Sequence, residues 1–228
     1  MPNQDNRQAR SEATQQALMR AAEKLIAENG IENVTIRDIL ATAGQKNTSA
    51  LQYHFSNFRG LIDALLASRH QQIQERRAAL IKETLARTPE PPLREVCKLM
   101  VAPAFDLARS NPDFRRYVKA FGHDLTVAEE SALTIANRTG GESAELTGTL
   151  LRKALPHLGE DAFVRRMEGA LRFISASMVY HARQKNAFRG AEAELFFFSL
   201  IDGLVGLLSE PESEETRAQR ERIEGRKV

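Results

Sequence analysis

Lys46, Asn47, Ser49, Gln52, Tyr53 and His54 crowd donors and acceptors between a glycine and Phe55, a density suited to reading a nucleic acid. A lysine donates to guanine O6 and N7, and an asparagine or glutamine pairs bidentately with adenine N6 and N7. To do this, the side chains must share the outer face of a helix whose inner face is buried. Leu51 and Phe55, four apart, supply that inner face. The stretch before them reads as a partner helix, with Thr35 as its cap and Ile36, Ile39 and Leu40 as an apolar stripe at i, i+3, i+4. Gly44 leaves the intervening turn free to take a positive φ. Helix, glycine turn and polar-faced second helix are the layout of a helix-turn-helix.

Composition bounds the rest. The chain has 228 residues, 42% hydrophobic and 27% charged, as a globular protein would. Its formal charge is only +2, so a nucleic-acid footprint must come from where charge sits. Even Met1 to Gly60 carries seven basic residues against six acids. Cys97 is the single cysteine, which excludes an intramolecular disulfide, and its apolar surroundings in sequence read as core. The five histidines show no metal-ligand spacing, and His123 and Asp124, adjacent on a helix, do not face each other. Nothing calls for a cofactor, a metal or catalysis. The polar N-terminus lacks an apolar signal region, and the run from Leu195 to Leu208, broken by Ser199 and Asp202, is shorter than the ~20 residues a membrane span needs. These features point to the cytoplasm.

No segment alternates with period two, so the chain reads as all-α. A flexible polar arm is expected over 1–12, a helix-turn-helix domain over 13–60, a ligand-binding and dimerisation domain over 61–209, and a disordered charged tail over 210–228. The first helix is expected from about Thr14 to Asn29, closed by Gly30. A long connecting helix is expected from about Asn57 to Arg87, with an apolar beginning and a solvated second half. Prolines and glycines then delimit helices near 93–110, 112–122, 125–137, 143–155, 160–184 and 191–209.

The stretch from Thr14 to Leu66 resembles the TetR family of bacterial transcriptional regulators. The likeness rests on Gly30, Val34-Thr35-Ile36-Arg37-Asp38-Ile39, Ala43-Gly44, Tyr53-His54-Phe55 and Gly60-Leu61. It implies a three-helix DNA-binding head joined by a long helix to a larger helical body. It also implies a homodimer that binds a palindromic operator and releases it when a small molecule occupies the body. By the same resemblance Thr35, Arg37, Tyr53 and His54 contact backbone phosphate. Lys46, Asn47, Ser49 and Gln52 face base edges, and Thr48 belongs to the same site. The family usually has Lys or Arg where this chain has Phe58, so Arg59 is the substitute phosphate contact.

Two helices near the C-terminus carry the dimer expectation. Phe163, Met167, Leu171, Ile174 and Met178 recur on one face of the first. The second, with Phe196, Phe197, Leu200, Leu204 and Leu207, is apolar nearly all round and must be covered on every side. A four-helix interface between two copies would cover both. Phe105, Tyr117, Phe121, His123, Phe173, Ser177 and Tyr180 are the candidate ligand-binding residues. The expected function is therefore a TetR-like repressor, DNA-bound as a dimer and responsive to an unidentified small molecule. The competing reading is an all-α binding or enzymatic domain whose N-terminal hairpin is only structural.

Overall fold

The computed structural model describes residues 2–45 and 49–224. Among them every regular element is helical. The head comprises α1 (Pro2–Asn29), a 3-10 turn (Ile31–Asn33), α2 (Ile36–Thr42) and α3 (Ser49–Phe55). Then come α4 (Phe58–Arg87), α5 (Leu93–Ser110), α6 (Pro112–Phe121), the single turn α7 (Asp124–Val127), α8 (Ala132–Ala154), α9 (Glu160–Ala182), α10 (Gly190–Ser209) and α11 (Glu214–Glu224).

Local chemistry accounts for most boundaries. Asn111 caps α6, its Oδ1 accepting from the Asp113 amide at 2.9 Å, and Pro112 takes the first helical position. Glu168 of α9 accepts from the Ala132 and Leu133 amides at 3.0 and 3.1 Å, so α9 itself holds the start of α8. The expected helix over 125–137 is instead divided: α7 ends at Val127 and α8 begins at Ala132. Arg172 of α9 fastens the connection, donating to the carbonyls of Leu125 and Ala128 at 2.6 and 3.3 Å. The break expected at Gly140-Gly141 is present as a kink within α8, where Gly141 adopts φ 58° and ψ −165°.

At the ends, helix replaces expected coil. The first helix begins at Pro2 rather than near Thr14. No breaker intervenes before Gly30, and the added turns bond along themselves, as in Gln8 to Glu12 at 3.2 Å. In the tail, Ser213 caps α11 and Glu212 pairs with Arg165 at 2.8 Å. Among the described residues neither addition contributes to the core.

That core runs without interruption from head to body, from Leu18 and Leu51 through Leu65, Phe114 and Leu151 to Leu208. Alongside α4 and α6, α1 also carries the buried Glu23, whose carboxylate meets Arg69 of α4 twice at 2.6 Å. The Phe114 ring of α6 lies 5.7 Å from that guanidinium. Cys97 is fully buried and burial pushes its thiol up to about 12, so it stays protonated and inert. Among the described residues no helix is long and apolar enough to cross a membrane.

Candidate nucleic-acid interface and ligand cavity

The helix-turn-helix is built from two caps and two close approaches. Thr35 and Asp38 form a capping box: the Asp38 amide donates to Thr35 Oγ1 at 3.2 Å, and the Thr35 amide donates to Asp38 Oδ2 at 3.1 Å. The Thr35 hydroxyl also donates to Asp38 Oδ2 at 2.6 Å, and these bonds hold the Asp38 carboxyl below its ordinary range. Both donors of Thr35 are thereby committed to the cap, which places α2 and its neighbour Arg37. Arg37 is exposed. Gly44 closes the helix at φ 68°.

In α3, Leu51 and Phe55 are buried while Ser49, Gln52 and Tyr53 face outward at i, i+3, i+4. Tyr53 is 78% exposed, an unusual position for so large a ring unless something else covers it. His54 turns inward instead. Gln15 Nε2 of α1 lies 3.3 Å from His54 Nδ1, and its ring meets that of Tyr53 edge-on at 4.9 Å. The structure makes it a strut between α1 and α3. Lys46, Asn47 and Thr48 lie outside the described residues.

At the α3–α4 junction, Asn57 Oδ1 accepts from the Gly60 amide at 2.9 Å and starts α4. A Cβ on Gly60 would stand 2.0 Å from the Phe55 carbonyl oxygen, so only glycine lets α4 begin this close beneath α3. Phe58 packs against the core and Arg59 points to solvent, with Asp63 its neighbour at 3.8 Å. The residue following Phe58 is therefore the cation at this corner.

Further along, α4 enters the body and forms one wall of a cavity of about 250 Å³. Its residues there are His70, Ile73 and Arg77, at i, i+3, i+7. Met100 and Ala104 come from α5, Tyr117 and Val118 from α6, Leu133 through Leu151 from α8, and Met167, Leu171, Ile174 and Met178 from α9. Gln74 and Arg77 grip the α8 kink: Gln74 Nε2 donates to the Thr139 carbonyl at 2.6 Å and Arg77 Nη1 to Ser143 Oγ at 3.3 Å. Burial lowers the pKa of His70 and keeps it neutral. It raises that of the Tyr117 hydroxyl, with Asp124 and Glu23 adding to the effect, so the phenol remains a donor.

The cavity takes much of its wall from residues expected at the dimer contact and little from the ligand candidates. Of the ligand candidates only Tyr117 lines the cavity. Phe105 packs in an aromatic cluster with Phe188, Phe196 and Phe197, and Phe121 is buried in the core. His123 sits half-exposed beside Asp124, and Ser177 is half-buried away from the cavity walls. Phe173 and Tyr180 lie on the exposed face of α9. Conversely Met167, Leu171, Ile174 and Met178, expected at a dimer contact, form the cavity wall. Phe163 is buried under the Arg152 guanidinium, 3.6 Å from its ring, and Leu200 and Leu204 are buried within the single chain. Phe196 stacks on His181 at 3.9 Å, while Phe197 and Leu207 are half-buried against the core. Both α9 and α10 are apolar on two faces, and periodicity does not say which face belongs to the chain's own core. His70 and Arg77 were missed for a different reason: in an otherwise polar stretch only Ile73 between them marks a buried face.

Residues 18–65, the segment that forms α1 to the start of α4, match the family model for bacterial regulatory proteins of the tetR family. Over that segment the chain is similar to tetR-family regulators. One solved structure extends the likeness to the fold. A chain from Shewanella sp. PV-4, described as a TetR family transcription regulator, aligns over 82% of this chain and 95% of its own, at 16% identity and a TM-score of 0.57. A transcriptional regulator from Streptomyces coelicolor A3(2) aligns over 86% and 99%, at 18% identity and a TM-score of 0.44. GusR of Salmonella enterica aligns over 86% and 95%, at 20% identity and a TM-score of 0.43. Comparison with curated protein sequences gives no match. The likeness to the tetR family is thus carried by residues 18–65, and the chain is all-α throughout its described residues.

Proposed function

We propose that this chain is a TetR-family regulator, a cytoplasmic, non-enzymatic repressor that binds a palindromic operator as a homodimer and is released by a small organic molecule. The outward face of α3 carries the reading: Gln52 and Ser49 stand where base edges would be met, and Tyr53 extends an otherwise unexplained exposed ring beside them. Arg37 and Arg59, both exposed, flank that face at the starts of α2 and α4 and supply phosphate contacts. Lys46, Asn47 and Thr48, which precede α3, complete the set.

The dimer reading moves to the outer faces of α9 and α10. Tyr180 is 70% and Leu195 62% exposed, with Phe173 and Phe198 beside them. The Phe173 ring lies over Gly203, within 3.0 Å of where a Cβ would be, so the two helices offer one joined apolar surface. A second copy seated there by a two-fold axis would set the recognition helices about 34–36 Å apart, one groove turn.

Ligand control follows from α4, 30 residues and therefore about 45 Å long. It starts under α3 at Gly60 and lines the cavity at His70, Ile73 and Arg77. A ligand preferring one arrangement of the α4 and α8 walls would alter head spacing, and coupling of ~1–3 kcal/mol gives a 5–150-fold change in DNA affinity. Retention on duplex DNA that weakens steeply with salt, and a footprint on the gene's own upstream region, test the proposal. Retention indifferent to salt and to sequence would reject it and favour a binding domain with a merely structural head.

A further inference from the structure

The cavity is apolar except at a few points, and one of them is a charge with no counter-charge. Three arginines project from the middle of α4. Arg69 is neutralised by Glu23 at 2.6 Å, and Arg76 by Asp106, to which its Nε donates at 2.9 Å. Arg77 has no carboxylate within ion-pair distance among the described residues. Its only bonds run from Nη1 to the Gly140 carbonyl at 3.4 Å and to Ser143 Oγ at 3.3 Å, both long for a guanidinium. Nε and Nη2 have no hydrogen-bond partner among the described residues. Burial acts against the charge without removing it, since arginine stays protonated in proteins. A half-buried cation left this way on the wall of an apolar cavity favours an anion that joins it there.

We propose that the cavity takes a small apolar monocarboxylic acid, its carboxylate on Arg77 and its hydrocarbon body against Met100, Leu133, Met167, Leu171 and Ile174. The inference rests on the effector reading above and names the ligand class. A guanidinium and a carboxylate match fork to fork, two parallel bonds for one charge of each sign. A phosphate dianion would bring a second negative charge into an apolar space that offers no second cation, since His70 is neutral. The Tyr117 hydroxyl, which also lines the cavity and has no hydrogen-bond partner among the described residues, is available to a polar substituent on the acid. The thioethers of Met100, Met167 and Met178 adapt to acids of different shape. Pairing with an incoming carboxylate competes with the grip of Arg77 on the α8 kink, so the ligand acts directly on the α4–α8 contact.

The test compares each acid with its neutral amide on the full chain: 2-naphthoate against 2-naphthamide, and octanoate against octanamide, by calorimetric titration. The wild type is expected to bind one acid per chain at least tenfold more tightly than its amide. Arg77→Gln is expected to bring that ratio close to one, and Arg77→Lys to keep part of it. Because the ratio is read first in the wild type, a poorly folded variant leaves the proposal testable. Amides binding as tightly as acids, an acid preference that survives in Arg77→Gln, or no binding of either class would each overturn it. Retention on operator DNA, measured with the same ligands, separates the two readings. Selective acid binding without any change in DNA affinity would uphold the ligand class and sink the effector reading.

Discussion

Glu23→Leu is the sharpest perturbation of the joint between head and body. Glu23 is 1% and Arg69 11% exposed at the side chain, and the pair closes through two bonds of 2.6 Å. Leucine fills similar space but removes both acceptors. Arg69 then keeps only Gln72 Oε1 at 3.1 Å and the Phe114 ring, a buried guanidinium short of its counter-ion. Breaking a buried pair from one side costs about 3–5 kcal/mol. In a chain of this size each kcal/mol moves Tm by roughly 2–4 °C, so the expected fall is roughly 6–20 °C. The double variant Glu23→Leu with Arg69→Met should return close to wild type, because neither charge is then stranded. Glu23→Gln should fall between, since its amide oxygen still accepts from Arg69. Burial, opposed by Arg69, pushes the Glu23 carboxyl above its ordinary 4.5. A carboxyl raised on folding contributes stability that is whole below about 4.5 and is lost as pH climbs through the folded value. The advantage of wild type over Glu23→Gln should therefore narrow with rising pH. Urea and thermal unfolding of the four proteins from pH 4 to 8 measure all of this. A loss under 1 kcal/mol in Glu23→Leu, or a double variant no better than the single, would refute the reasoning.

Three further outcomes are expected. Gln52→Ala should relax base preference at one operator position by about 1–3 kcal/mol, whereas Tyr53→Phe should weaken all duplexes alike; competition binding with single-base operator variants distinguishes the two. Gly60→Ala puts a methyl 2.0 Å from the Phe55 carbonyl oxygen, so α3 must shift and operator binding should drop at least tenfold, read by fluorescence anisotropy, while the body stays folded by circular dichroism. Leu195→Arg places a charge on the exposed face of α10 and should shift a dimer toward monomer in sedimentation velocity, whereas Leu207→Ala should leave the assembly unchanged.

The recognition unit was legible because its determinants are local. Thr35 and Asp38 are three residues apart, and Leu51 and Phe55 are four apart, so cap and buried face can be read along one stretch of chain. The contact of His54 with Gln15 is not legible in the same way, because Gln15 lies on another helix. The cavity was legible only at Tyr117. Phe173 and Met167 lie six residues apart on α9 and are equally apolar, yet one faces outward over Gly203 and the other lines the cavity.

From the sequence alone follow the helical class, most helix boundaries and the helix-turn-helix, all set by interactions within a turn or two. The tertiary structure decided which apolar face of α9 and α10 is core, which arginine in the middle of α4 lacks a carboxylate partner, and which residues line the cavity. Those answers depend on how helices distant in sequence pack together, and an apolar stripe records only that it will be covered, not by what.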